Sequence, residues 1–322
     1  MRFPLFADLD SDQKRLYSKS PSDGAILVVG PPGCGKTVVA AHRTVRLSAS
    51  GKPVVLLMFG KVLSKYTSNF DGYTGDTKIM HAHSFWPSWY KNAFKTQIPK
   101  VEKFIFDWRE VKNLIRDCKD PRVLSALNWG HLIIDEGQDF EPDMYEALMA
   151  LVQHPAIPVG ERPTLSVFAD DNQTITDRNS SIPELMGALN ASIENNRLWR
   201  LDRNYRNTKE IASFSRYFQV RGSTSANLPE RSGGQAPLVF LHKDVDQIYD
   251  QVTRYAKNHS GREIGVVVFG TKRDVTSCFN KLKARTEKQG VSCTVQGYVS
   301  AHKGKGITEV SDLVFDKPPV IT

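Results

Sequence analysis

Residues 30–37, with the sequence GPPGCGKT, place a lysine and a threonine at a fixed distance from several glycines. The string fits the pattern G-x-x-x-x-G-K-[ST], which lies between an apolar strand and a helix. Its backbone N–H groups can turn towards a phosphate, and the helix N-terminus adds its positive dipole end. Lys36 is expected to reach the β- and γ-phosphates from an exposed loop, and Thr37 to ligate Mg²⁺. The predicted nucleotide contacts are Gly30, Gly33, Cys34, Gly35, Lys36 and Thr37.

Two carboxylates follow another apolar run, in the string IIDEGQD at residues 133–139. Side chains at the end of such a strand emerge at the sheet edge where a phosphate loop also opens. Asp135 is predicted to hold Mg²⁺, and Glu136 to orient or deprotonate the attacking water. An apolar run that ends in Asp-Glu is usually structural on its own, but its pairing with the phosphate loop makes it specific.

Two further polar strings could complete the same site. A third apolar run ends in Asp170, and the amide of Gln173 could sense the γ-phosphate, with an ordinary polar turn as the alternative. The string Asn204-Tyr205-Arg206 opens the basic C-terminal part of the chain. An arginine carried there by a separate domain could stabilise charge on the transferred phosphate.

The elements that must position these residues are visible as short runs rich in Val, Ile and Leu. The runs lie at residues 25–30, 53–59, 131–135, 164–170, 237–241 and 264–270. Longer amphipathic stretches alternate with them, which is the pattern of a parallel sheet covered by helices. A helix is predicted at 201–218, before a Gly/Ser/Pro-rich passage. The predicted fold is α/β with two domains, residues 1–200 and 201–322.

Composition and charge indicate a soluble intracellular protein. No apolar run approaches the roughly 20 residues that span a bilayer, and acidic residues near the start argue against a signal peptide. The 4 cysteines lack the spacing of a zinc site and are predicted to be reduced thiols. Residues 201–322 hold 19 Lys and Arg against 12 Asp and Glu. This basic excess suits a polyanion such as nucleic acid, with a solvated basic surface as the alternative.

The chain resembles the UvrD/Rep-type superfamily 1 helicases over residues 8–210. The motifs that carry the resemblance are GPPGCGKT (30–37), VVLLMFGKVLSKY (54–66), HAHSFW (81–86), LIIDEGQDF (132–140), VFADDNQTI (167–175) and LDRNYRN (201–207). The resemblance implies a RecA-like P-loop NTPase domain with a parallel sheet, followed by a second, partial RecA-like domain. It also implies ATP and Mg²⁺ as cofactors.

The resemblance adds roles for individual residues. Gln13 resembles the adenine-reading glutamine of the family, and Tyr205 resembles the aromatic residue that stacks on the adenine. Arg206 resembles the arginine finger contributed by the second motor domain, and Gln173 the γ-phosphate sensor. Segments similar to those that contact single-stranded nucleic acid contain Phe59, Lys61, His83 and Phe85. For these last residues, ordinary core or surface roles are the alternative.

Three departures from the family pattern bear on function. Val38 stands where the family often has an arginine, and no aromatic residue follows the sensor glutamine in TDRNSSIPEL. Residues 302–309 faintly resemble the fifth motif, whereas residues 313–322 resemble the strand that approaches it. The second interpretation is favoured, and the final motif with its second arginine is expected to be absent.

The predicted function is an ATP-dependent translocase or helicase that acts on single-stranded nucleic acid, with DNA favoured over RNA. Its predicted catalytic residues are Lys36, Glu136, Gln173 and Arg206. The alternative is a nucleotide-dependent switch or scaffold subunit of a DNA-repair or antiviral-defence complex, without unwinding activity. A nuclease or another protein partner stays open, no membrane contact is expected, and the expected location is the cytoplasm.

Overall fold

The computed structural model describes residues 4–58, 77–103, 105–170, 179–218, 227–241, 244–259, 261–297 and 320–321. Contacts between residues divide the chain into two compact units, Phe3–Pro237 and Leu238–Thr322, which we call the first unit and the second unit. Every helix within the described ranges is too short or too polar to span a bilayer.

A parallel sheet forms the centre of the first unit. The described strands of the first unit are β1 (Ala25–Val29), β2 (Val54–Met58), β3 (Thr77–His81), β4 (Lys100–Glu102), β5 (Ile105–Phe106), β6 (His131–Ile134), β7 (Thr164–Ala169) and β8 (Leu198–Arg200). Six of these pair in the order β3-β2-β6-β7-β1-β8, all parallel, while β4 and β5 form a separate antiparallel pair. The predicted α/β fold with a parallel sheet is therefore confirmed.

The first unit has eight described α-helices, and several of them cover the two faces of the sheet. They are α1 (Ser11–Lys19), α2 (Lys36–Ser48), α3 (Ala82–Phe94), α4 (Trp108–Arg116), α5 (Pro121–Leu127), α6 (Pro142–Val152), α7 (Ile182–Leu189) and α8 (Lys209–Ser215). Successive strand residues point to opposite faces, so Ile26 packs with Val39 of α2, whereas Leu27 belongs to the cluster that includes Trp86 and Tyr145. Every residue of β1, β2, β6 and β7 is buried, which explains their continuous apolar runs.

The described part of the second unit contains two long helices and three strands of two residues each. These are α9 (Val245–Asn258), β9 (Glu263–Ile264), α10 (Lys272–Lys288), β10 (Thr294–Val295) and β11 (Val320–Ile321). The strands pair in parallel in the order β10-β11-β9. Strands predicted at 237–241 and 264–270 are largely missing from these elements, since only Glu263–Ile264 is strand. A strand needs a neighbour to accept its backbone hydrogen bonds, and Leu241 and Phe269 are instead 95% and 98% exposed.

Residues 201–237 lie with the first unit, whereas the sequence places a domain boundary near residue 200. Backbone hydrogen bonds from Leu201 to Val29 and from Tyr205 to Gly33, both 2.9 Å, hold the start of this segment beside β1 and the loop after it. The helix predicted at 201–218 begins only at Lys209. Upstream, the Asn204 side chain accepts two backbone N–H bonds, a local turn that competes with helix.

Candidate nucleotide-binding site

The phosphate loop connects β1 to α2 and has the backbone shape that its glycines permit. Gly33 and Gly35 adopt φ angles of +82° and +87°. A Cβ atom at Gly33 would lie 2.6 Å from Asn204 Oδ1, and one at Gly35 would lie 2.6 Å from Gln13 Nε2. Both positions therefore require glycine, for conformation and for space. The loop ends at the N-terminus of α2, where free N–H groups can bind an anion.

Lys36 is buried rather than projecting from an exposed loop as expected. Its Nζ donates hydrogen bonds to the carbonyls of Gly30 (2.6 Å) and Pro31 (3.2 Å), and it pairs with Asp170 Oδ2 at 3.0 Å. Burial opposes its charge, but the neighbouring Cys34, Asp170 and Glu136 outweigh burial and raise the pKa of Lys36. The loop therefore folds back on its own lysine, which stays charged next to an internal carboxylate.

Thr37 and Asp135 provide a pair of oxygen donors at the end of β6. The Thr37 hydroxyl donates to Asp135 Oδ2 at 2.7 Å. The other oxygen, Oδ1, is buried and has no hydrogen-bond partner among the described residues. Burial and the adjacent Glu136 raise the pKa of Asp135 to about 7. Hydroxyl and carboxylate oxygens are ligands that suit Mg²⁺, so these residues fit the predicted cation.

Glu136 lies at the start of a short 3-10 turn, Gly137–Asp139, with its backbone in the left-handed region at φ +54°. Its Oε2 accepts a hydrogen bond from Gln138 Nε2 at 2.9 Å, and its side chain is half-buried. The Tyr145 hydroxyl supports the turn by donating to the Gly137 carbonyl at 2.5 Å. Burial and the charge of Glu136 raise the pKa of Asp139 to about 6. The sheet thus delivers a carboxylate to the same edge as the phosphate loop.

Gln13 and Tyr205, predicted to contact the adenine, both lie against the phosphate loop. Gln13 Nε2 donates to the Cys34 carbonyl at 3.0 Å, while its Oε1 accepts the backbone N–H of Asp10 at 3.2 Å. The Tyr205 hydroxyl donates to the Asp10 carboxylate, and the ring is 46% exposed. Burial and the bond to Asp10 raise the pKa of Tyr205. A half-exposed ring beside the loop suits stacking on a base, whereas the Gln13 amide is already engaged with backbone.

Arg206 also lies beside the phosphate loop. Its Cβ is 3.1 Å from where a Cβ on Gly33 would stand, and both residues belong to the first unit. The sequence predicts that this arginine arrives from a second domain. Because β8 joins the sheet next to β1, the segment that follows β8 starts beside the loop without help from the second unit. Its role at the γ-phosphate stays a prediction.

Two of the residues predicted to contact nucleic acid lie on α3, one buried and one exposed. Phe85 is 7% exposed and packs in the core, with its ring centroid 4.9 Å from that of Trp86. Its ring belongs to the core cluster that includes Trp86, which is the role that the sequence gives as the alternative, and a contact between Phe85 and a base stays a prediction. His83 is exposed on the same helix, 5.2 Å from the His81 ring. Phe59, Lys61 and Gln173 lie outside the described residues.

Three residues with evident structural roles at this site had no role assigned from sequence. Asp170 pairs with Lys36, Gln138 contacts Glu136, and Asn204 fills the space over Gly33. One signal was available, because Asp170 directly follows the apolar run at 164–169, as Asp135 follows its own. The contacts themselves depend on which strands are neighbours, which the sequence does not state.

Comparisons with known proteins identify similar structures but no family. No family model matches the sequence, and no curated protein is similar to it. The solved Pif1 helicase from Candida albicans is 14% identical at a TM-score of 0.44, covering 86% of this chain and 55% of its own. A DUF1998 helicase, MrfA, bound to DNA is 12% identical at a TM-score of 0.48, with coverages of 92% and 39%.

A third similar structure is Pif1 helicase from Bacteroides in complex with ADP-AlF3 and ssDNA. It is 15% identical at a TM-score of 0.42, and the match covers 88% of this chain and 57% of that one. The chain therefore spans between 39% and 57% of the length of these solved structures.

Proposed function

We propose that this protein is an ATP-driven translocase or helicase core of superfamily 1, of the UvrD/Rep type, acting on single-stranded nucleic acid. The observation that carries the proposal is the meeting of Lys36, the Thr37–Asp135 pair and Glu136 at one edge of the sheet. A phosphate-binding loop, a cation-holding pair and a carboxylate for the attacking water are the parts that phosphoryl transfer to water requires.

The proposed reaction assigns one task to each of these residues. Loop N–H groups at the start of α2 bind phosphate oxygens, and Lys36 exchanges Asp170 for the β- and γ-phosphates. Glu136 orients the attacking water and accepts its proton. Thr37 and Asp135 hold Mg²⁺, which neutralises phosphate charge when it is bound. Because Lys36 is already paired with Asp170, ATP must break an existing ion pair before its phosphates can bind the lysine.

The nucleic-acid partner is proposed from charge. The excess of Lys and Arg lies in residues 201–322, with 19 against 12 acidic residues. Part of it is paired internally, since Arg285 bonds Asp250 at 2.9 Å and Lys281 lies 3.4 Å from Asp246. The remaining basic residues can bind a phosphate backbone by releasing its counterions. Single-stranded DNA is the proposed substrate, with RNA as the comparison.

A nucleotide-dependent switch that binds a protein is the second candidate. The observation that favours it is the apolar surface of the second unit, where Leu241 and Phe269 are almost fully exposed. Phe240, Ile248, Tyr255 and Ile264 also line one shallow pocket of this unit, and contiguous exposed apolar surface marks protein contacts. In such a switch, nucleotide occupancy would change without movement along a strand.

The deciding measurement is the rate of ATP hydrolysis with and without single-stranded DNA or RNA. A translocase predicts hydrolysis that is stimulated by DNA or by RNA and strongly reduced in Glu136→Gln. Binding should also weaken with salt, with a slope in log K against log salt of about −0.7 for each phosphate contacted. If neither single-stranded DNA nor RNA changes the rate of hydrolysis, and if binding does not depend on salt, the switch is the better account.

A further inference from the structure

Gln138 is almost completely buried, and both ends of its side chain are used. It is 1% exposed and lies in the 3-10 turn that follows β6. Its Nε2 donates to Glu136 Oε2 at 2.9 Å, and its Oε1 accepts the backbone N–H of Asp170 at 2.9 Å. A buried amide that satisfies a donor and an acceptor on two different strand ends fixes the distance between them.

The second of those strand ends carries the partner of the phosphate-loop lysine. Asp170 directly follows β7, and its Oδ2 lies 3.0 Å from Lys36 Nζ. Hydrogen bonds therefore run without a break from Glu136 through Gln138 and Asp170 to Lys36. Because β7 lies between β6 and β1 in the sheet, this chain links the carboxylate end of the site to its phosphate end.

We propose that Gln138 is a positioning residue that holds the Glu136 carboxylate in place relative to the end of β7. This inference rests on the proposed function, in which Glu136 acts on the attacking water. Glu136 is only half-buried, so packing against neighbours restrains its side chain incompletely. The Gln138 donor supplies a further restraint, and it ties the carboxylate to the strand end that also holds Lys36.

Positioning of this kind has a large effect on rate and a small effect on binding. A misplacement of about 1 Å in a reacting group can cost about 100-fold in rate. Gln138 contacts a carboxylate and a backbone N–H, and neither contact is with the glycines that would bind phosphate. Loss of Gln138 should therefore lower kcat without a matching change in KM for ATP.

The test uses Gln138→Met, which keeps the side-chain volume and removes both hydrogen bonds. We expect kcat to fall by about 10–100-fold while KM changes by less than about threefold. The matched control is Gln153→Met, which makes the same chemical change at an exposed glutamine directly after α6. Its kcat should stay within about threefold of wild type.

A double-mutant cycle separates positioning from general structural support. If Gln138 acts through Glu136, single-turnover hydrolysis by Glu136→Gln/Gln138→Met should equal that of Glu136→Gln alone. A further loss of the size seen in the wild-type background would overturn the proposal, as would an unchanged kcat in Gln138→Met. Where the methionine variant fails to fold, Gln138→Asn keeps an amide that is too short to reach both partners, and takes its place in the same cycle.

The outcomes also separate this inference from the proposed function. An active wild type, an inactive Glu136→Gln and a fully active Gln138→Met would remove the positioning role and leave the function standing. A wild type without hydrolysis, with or without single-stranded DNA or RNA, would remove both.

Discussion

The polar groups buried at the two ends of the sheet's strands differ in charge. We call the side where the strands end the carboxyl edge, and the side where they begin the amino edge. At the carboxyl edge, Lys36, Asp135 and Asp170 bring three ionisable side chains into the interior, each less than 8% exposed. At the amino edge, His131 is equally buried, but its ring nitrogens bond Ser50 Oγ at 3.1 Å and Thr164 Oγ1 at 2.5 Å. Burial, with the charges of Lys52 and Arg43, lowers the pKa of His131 to about 4.

This difference distinguishes a site from a structural contact. His131 is kept neutral at physiological pH, and each nitrogen has a neutral partner, so the amino edge contributes stability. The carboxyl edge retains a charged lysine and a carboxylate oxygen without a hydrogen bond among the described residues. Burying such groups is costly unless they are paired, and a fold that keeps them retains the capacity to bind a charged ligand. Substitutions at the carboxyl edge should therefore lower hydrolysis, whereas substitutions at the amino edge should change only stability.

The largest effect at the carboxyl edge is expected for Arg206→Ala. If Arg206 contacts the γ-phosphate, hydrolysis should fall by about 10³–10⁵-fold, because a charge that stabilises the transferred group is lost. Isothermal titration should show weaker binding of a non-hydrolysable ATP analogue and unchanged binding of ADP. Lys209→Ala, which removes a nearby positive charge at the start of α8, is the control. Equal losses for both nucleotides would assign Arg206 to structure instead.

Glu136→Gln should have the next largest effect. Loss of a general base lowers hydrolysis by about 10²–10⁴-fold, while the amide keeps the shape that nucleotide binding needs. Steady-state phosphate release and titration of ATP measure the two quantities separately. Glu146→Gln makes the same chemical change at a surface ion pair with Lys112 and should leave both unchanged. Full activity in Glu136→Gln would take this residue out of the reaction.

Lys36→Met should reveal a cost in stability as well as in activity. The substitution leaves Asp170 buried beside an apolar side chain, and breaking a buried ion pair lowers the free energy of unfolding by about 3–5 kcal/mol. Urea denaturation without nucleotide measures this directly. Adding Asp170→Asn to Lys36→Met should recover much of the loss, because it removes the buried negative charge that Lys36 balances in the wild type. A Lys36→Met protein as stable as wild type would mean that the pair contributes little.

The smallest effect belongs to the amino edge. The pKa of His131 is about 4 in the folded protein and 6.5 for an ordinary histidine, so the unfolded chain binds the proton first as pH falls. The stability that His131 contributes is complete above pH 6.5 and is lost as pH falls towards 4. Between pH 4 and 6.5, the free energy of unfolding should depend less on pH in His131→Gln than in the wild type, as denaturation at a series of pH values would measure. Hydrolysis at neutral pH should stay within about twofold of wild type. A larger loss of hydrolysis would contradict the division between the edges.

Local patterns predicted the parts of the site that are close in sequence. GPPGCGKT forms its loop between β1 and α2 because glycine spacing and the flanking apolar and amphipathic runs act within a few residues. The partner of Lys36 is 134 residues away, and the pairing depends on β7 lying beside β1. The run at 237–241 has strand composition but no strand, because a strand also requires a neighbour. Sequence pattern shows what a segment can become, and the assembled sheet decides what it does become.

The left-handed backbone of Glu136 has a consequence for how this protein would respond to selection. The left-handed conformation costs a residue with a Cβ atom about 1–2 kcal/mol through steric repulsion, and it costs glycine almost nothing. A library screened only for heat resistance should therefore be enriched in Glu136→Gly, at the position where turnover is most sensitive. The same substitution would then raise thermal stability and lower turnover, so a screen for stability alone would select against activity at this position.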